Sequence, residues 1–183
     1  MDIAAFLASL QGSALAGRIR DSLLLFPLLE SAHVIGLALV FGTIAVIDLR
    51  LLGVASRERS FRRMASDILK WTWGAFALSA VTGALMFVTN ATVYFHNVPF
   101  RVKMVLLVLA GLNMLVFELT AGRTIHQWDQ APSAPPIGKA VATLSLVLWI
   151  SVIFAGRIIG FTTSRAATPE AAPDNINLED LLK

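Results

Sequence analysis

Four long apolar runs, separated by short polar stretches, dominate the pattern of this chain. The first runs over about 23–49 and is interrupted by Glu30 and His33. The second, about 71–94, holds no charged residue. The third, about 102–119, carries Lys103 and Glu118 near its ends. The fourth, about 140–161, carries Arg157 near its end. A helix crossing a bilayer needs about 20 mostly apolar residues, so each run predicts one span. Pro27 falls in the first turn of the first span, where a missing N–H is tolerated. Asn97–Val98–Pro99 and the Pro-rich segment from Ala131 to Pro136 break the chain between spans. The pattern predicts an all-α fold: a polytopic membrane four-helix bundle in one domain over residues 1–161. Residues 162–183, acidic and Pro/Ala-rich, read as a flexible tail, with a helical turn over Ile176–Leu182.

Ahead of the first span, Ile3, Phe6, Leu7 and Leu10 recur at i, i+3, i+4 and i+7. They predict an N-terminal amphipathic helix over 3–17 lying at the membrane interface. Asp2 stands where a signal peptide would carry basic residues, so the segment does not read as a cleaved leader. The loop after the first span carries Arg50, Arg57, Arg59, Arg62, Arg63 and Lys70 against Glu58 and Asp67. Basic loops stay on the cytoplasmic side, so this loop is expected inside and both termini outside. Ser60–Lys70 reads as a short interfacial helix. Trp71 and Trp73 mark one end of the second span and Tyr94 the other, as interfacial aromatics do.

Composition agrees with a bilayer as the main partner. The 183 residues are 56% hydrophobic and 15% charged, against about 25% charged in a soluble domain. The net charge of +3 is concentrated in one inter-span loop, which argues against nucleic-acid binding. With no Cys there is no disulfide, thiolate metal site or Cys nucleophile. No HExxH string or Ser–His–acid set suggests a hydrolase.

The ionisable residues inside the spans are the chemistry to explain, because each costs about 2.5–3.5 kcal/mol near the bilayer centre. By the helical rise, Glu30 and Lys103 lie about 9–12 Å outward of the midplane, Arg157 about 10 Å and His33 about 5 Å. Glu30 and His33, at i and i+3, share a helix face. The expected site is an outer-leaflet pocket of Glu30, His33, Lys103 and Arg157, with Arg101 at its rim. One acid against several bases leaves a positive surplus that suits a carboxylate. His33 is placed to ligate a metal or exchange a proton. Haem b fits this layout, with iron on His33 and propionates on Lys103, Arg157 or Arg101, since His is a common haem ligand and bundle cores host cofactors. A second ligand would come from His96, Met86 or Met104, or be absent. At the inner side, Asp48, Arg50 and Glu118 read as an interfacial salt-bridge network, and Asn113 as a contact between helices.

The string ESAH…G…DLRLLG (Glu30, Ser31, His33, Gly42 and Asp48 to Gly53), with Pro99 to Asn113, resembles an uncharacterised family of small bacterial inner-membrane proteins. That resemblance implies a multi-pass protein of the bacterial inner membrane. More distantly, His33, Gly42, Arg50 and Lys103 are similar in placement to residues of HemJ-type protoporphyrinogen oxidases, though the Trp-rich segment and extra His of that group are lacking. The His-bearing helix also resembles that of copper-resistance D-like membrane proteins. Three functions follow. One is a haem-binding redox subunit that exchanges electrons with quinone or a redox protein. Another is a copper or small-solute permease using His33, His96, Met86 and Met104, donors that suit Cu(I). The third is a structural or assembly subunit, in an oligomer or a larger membrane complex.

Overall fold

A computed structural model describes residues 2–56 and 58–167, with side chains up to Thr163. Among the described residues all regular structure is helical. The elements are α1 (Ile3–Gln11), α2 (Ala14–Asp21), α3 (Leu25–Leu52), α4 (Phe61–Thr89), α5 (Ala91–His96), α6 (Val98–Leu119), α7 (Ile125–Trp128, preceded by a 3₁₀ turn over Ala121–Thr124) and α8 (Pro136–Ala167). Four of the helical segments are long and apolar enough to cross a membrane, beginning at Leu25, Phe61, Val98 and Pro136. The chain is therefore a multi-pass membrane protein.

Local chemistry sets the boundaries. The stripe over 3–17 is divided, because Gly12 ends α1 and the Ser13 hydroxyl caps α2 by accepting from the Ala16 N–H. Only Leu7 of the α1 stripe is buried, while Ile3 and Phe6 stay exposed. Ser60–Lys70 is not a separate interfacial helix. It is the first part of α4, started by the Ser60 N-cap and continuous to Thr89. Asn90 ends that helix, so Tyr94 belongs to the short α5 rather than to the span. The Asn97 side chain caps α6, with Pro99 in its first turn, a position that needs no N–H. The last helix runs to Ala167, past the expected start of the tail at 162. The turn over Ile176–Leu182 lies outside the described residues. The C-terminus of α3 closes at Gly53 with φ 75°, a left-handed value that glycine adopts without penalty. A Cβ there would also stand 2.7 Å from Cβ of Ser133, so Gly53 lets two loops touch.

The bundle is packed along three of its sides. α3 lies against α4 and α8, and α6 lies against α8. α4 and α6 do not pack backbone to backbone over any length among the described residues. Aromatic rings bridge them instead. Phe87 stacks on Phe100 at 5.4 Å at one end, and Phe61 meets Phe117 at 5.8 Å at the other. One core cluster sits at mid-bundle around Val40, Ala75, Ala110, Trp149 and Val152. Another joins Leu51, Phe61, Trp128 and Ala134 at the end that carries the Arg-rich loop. Many large apolar side chains face outward, among them Val34, Val108 and Phe154, as a bilayer solvent requires and water would not favour.

The two ends differ. At the Arg-rich end the buried Arg50 guanidinium reaches the Arg59 carbonyl from Nε and Nη2, and Nη2 also reaches the Ala131 carbonyl. This is not the salt bridge the sequence suggests. Among the described residues Arg50 serves backbone carbonyls, and its neighbour Asp48 is buried without a cation. Asp129 ties the same loops by accepting from Ser60 Oγ and the Arg62 N–H, both at 2.7 Å. These bonds hold its carboxyl below the usual aspartate value, the Arg62 N–H contributing most. At the opposite end the α1–α2 hairpin covers the top of α4. Arg20 donates to the Thr89 carbonyl, and the Gln11 side-chain oxygen accepts from the Thr92 N–H.

Candidate functional site

His33 sits in the α3–α4 seam, in the half of the bundle nearer the hairpin. The two helices approach closely there because Gly36 on α3 meets Ser79 and the Ala75 carbonyl on α4. Small residues permit such contacts in membrane helices. One turn further along, the His33 ring lies against Gly83, where a Cβ would come within 2.9 Å of Cε1. Nδ1 lies 2.9 Å from the Ser79 carbonyl and 3.1 Å from Thr82 Oγ1. A carbonyl only accepts, so Nδ1 carries the proton, and in the neutral ring Nε2 keeps a free lone pair. Nε2 has no hydrogen-bond partner among the described residues. A carbonyl on Nδ1 is also what orients a metal-binding histidine.

Lys103 is the charge that acts on the His33 ring. It projects from α6 toward α8, where its Nζ would stand 3.7 Å from a Cβ on Gly156. It makes no hydrogen bond or ion pair among the described residues. The candidate groups are thus an imidazole nitrogen in the α3–α4 seam and an ammonium directed from α6 toward α8, neither with a hydrogen-bond or ion-pair partner among the described residues.

The other candidates separate from this pair. Glu30 is exposed and pairs with neither Lys103 nor Arg157 among the described residues. Its charge acts on Tyr94. Burial first, and then the Glu30 charge, push the Tyr94 phenol above its usual value. Arg157 is exposed, with its guanidinium 4.8 Å from the Phe161 ring centroid. Arg101 is exposed at the edge of a shallow apolar groove beside α6. His96 is exposed and bonds through Nδ1 to the Thr92 carbonyl on its own helix, so α5 does not turn it inward. No group of three or more His, Cys, Asp or Glu gathers as a metal site among the described residues. Two shallow grooves, of about 360 and 410 Å³, run along α6, and neither is lined by His33.

Gly36 and Gly83 are the close packing positions that glycines in spans suggest, whereas Ser79 and Thr82 on the α4 side are not candidates from the sequence. Ser79, Thr82 and Gly83, at i, i+3 and i+4, form one face opposite Gly36 and His33. That small-and-hydroxyl stripe was visible in an otherwise apolar span. Asp48, expected in an interfacial network, is buried instead, with its side chain 5% exposed.

Among known proteins, the family described as "Family of unknown function (DUF6644)" matches residues 22–162. No curated protein and no solved structure matches the chain.

Proposed function

We propose, for a chain that belongs to this family of unknown function, that the protein binds a lipid-soluble ligand bearing an acid group, held between His33 and Lys103. The observation that carries this reading is the pair of open polar groups inside an apolar bundle. His33 Nδ1 is committed to Ser79 and Thr82, which leaves Nε2 for the ligand. Lys103 supplies a half-buried positive partner without an anion among the described residues. Unpaired polar groups at such depth are costly and mark function by default.

Haem b is the member of this class that would use both groups, with His33 Nε2 as iron ligand and Lys103 facing a propionate. The donor chemistry fits a single-histidine site. The space does not come ready-made in the α3–α4 seam, which closes tightly at Gly36 and Gly83. Haem would have to enter on the α4–α6 side. When bound, it would supply one-electron chemistry, consistent with a redox subunit exchanging electrons with quinone or a protein partner. A copper permease draws less support, since His96 turns away on α5. An assembly subunit draws on α6, whose apolar window is only 17% buried, the least of the four.

The test is purification in mild detergent after haem-supplemented expression. Wild type should show a Soret band that is absent from His33→Leu and weakened in Lys103→Gln. If no band forms, native mass spectrometry of co-purified small molecules decides the wider reading. An acidic lipid-soluble species should be retained by wild type and lost from Lys103→Gln. Identical ligand content in both proteins would end the proposal. The basic loop between α3 and α4 supports an orientation with that loop in the cytoplasm and both termini outside.

A further inference from the structure

Another ionisable group with an open atom lies at the other end of the helix that carries His33. Asp48 is fifteen residues beyond His33 on α3, about 22 Å along the axis. It is 5% exposed, and its Oδ2 is sealed from solvent with no hydrogen-bond partner. The obvious counter-ion is Arg50, yet residues i and i+2 point to opposite sides of a helix. The Arg50 guanidinium is occupied with the Arg59 and Ala131 carbonyls. From α8 the facing polar side chain is Ser145. From α6 comes neutral Asn113, whose amide donates to the Val141 carbonyl one turn before Ser145. From α4 comes Thr72, bonded at 2.9 Å to Thr43 on α3. Among the described residues of this end, Arg59, Arg62, Arg63, Lys70, Arg123 and Lys139 are exposed, as are Glu58, Asp67 and Glu118, and half-buried Asp129 is held by Ser60 and Arg62. Among the described residues, no cation pairs with this carboxyl.

A carboxylate enclosed without a cation is far too costly to persist, and such a group takes up a proton instead. We propose that Asp48, facing Ser145, is a proton-binding site between α3 and α8. One proton adds to a carboxylate oxygen to give the neutral acid. It returns to solvent at the Arg-rich end on release, with no other bond made or broken. The site is independent of the ligand reading of His33 and Lys103. A small monovalent cation is the other occupant such a carboxyl could hold, and the test separates the two.

The experiment is infrared spectroscopy of wild-type protein and Asp48→Asn in liposomes. It is run about two pH units above the ordinary aspartate value of about 3.9, where exposed carboxyls are ionised. Wild type should show the carbonyl stretch of a protonated acid, shifted in D₂O and lost in Asp48→Asn. The band should persist when sodium or potassium is added at fixed pH. Its absence from wild type, its persistence in Asp48→Asn, or its loss on adding either cation would each overturn the proposal. If Asp48→Asn does not fold, Ser145→Ala serves in its place. The acid remains there, so the band should persist and move to higher frequency as a hydrogen bond is lost. An unmoved band, or none, would count against the site.

Discussion

Removing the Arg50 guanidinium should loosen the Arg-rich end of the bundle without touching the His33 site. Arg50 is 0% exposed and donates twice to the Arg59 carbonyl, at 3.1 and 2.9 Å, and once to Ala131 at 2.9 Å. It makes a longer bond to the Asp129 carbonyl, which also accepts from the Phe61 N–H. In Arg50→Met the volume is largely kept, but the Arg59 and Ala131 carbonyls lose their donor. A buried acceptor left unpaired costs about 1–3 kcal/mol. Against this, Met spares the desolvation of a buried charge whose Nη1 has no partner. The net loss should be about 3 kcal/mol. Arg50→Lys keeps the charge but offers one nitrogen in place of a fork, so about half that loss is expected. The assay is denaturant unfolding in detergent, followed by tryptophan fluorescence, because Trp128 is buried in the adjoining core. Trypsin cleavage at Arg62 and Arg63, exposed beside this latch, should accelerate in the same order. If Arg50→Met matches wild type within about 0.5 kcal/mol, the ordinary scatter of surface changes, the reasoning about the carbonyls is wrong.

Three further outcomes follow. Gly83→Ala places a methyl where the His33 ring lies, within 3.3 Å of Nδ1, so it should displace the ring from Ser79 and Thr82. Ligand retention should fall to the level of His33→Leu while the helical circular dichroism is unchanged. The chain has a single tyrosine, so the alkaline absorbance titration of the folded protein reports Tyr94 alone. In Glu30→Gln its midpoint should move down toward the ordinary 10.0, because a repelling negative charge is gone, and an unmoved midpoint would mean Glu30 does not face Tyr94. Asp129 contributes stability only as the carboxylate. Its contribution is present above the ordinary value of 3.8 and is lost as pH falls through its depressed folded value. Unfolding midpoints measured from neutral to strongly acidic pH should therefore converge for wild type and Asp129→Asn at the acid end, with wild type the more stable at neutral pH.

The spans were legible because lipid imposes one unambiguous demand, a run of apolar residues about 20 long. Their ends were less so. Ser60 and Asn90 mark the limits of α4 through a cap and a break, and a hydropathy window does not see either. The lateral placement of the polar groups was the least legible. The helical rise gave the depths of Glu30, His33, Lys103 and Arg157, but rotation about each axis decides which meet. It leaves the Lys103 charge acting on His33 and the Glu30 charge acting on Tyr94. Arg50 shows a different limit. Its partners are backbone carbonyls of two loops, and main-chain acceptors leave no trace in a pattern of side chains.

The three-sided packing has a consequence for how the protein is made. Chains emerge from the ribosome N-terminal end first, so α3 and α4 can pair as soon as both are inserted. The next span, α6, has its main partner in α8, which is synthesised after it. Until α8 arrives, the Asn113 amide lacks the Val141 carbonyl that satisfies it, and the span waits in lipid with a polar group uncovered. A chain stopped short of Pro136 would keep that flaw permanently, which makes α6 the segment by which a membrane protease could tell an unfinished copy from a finished one.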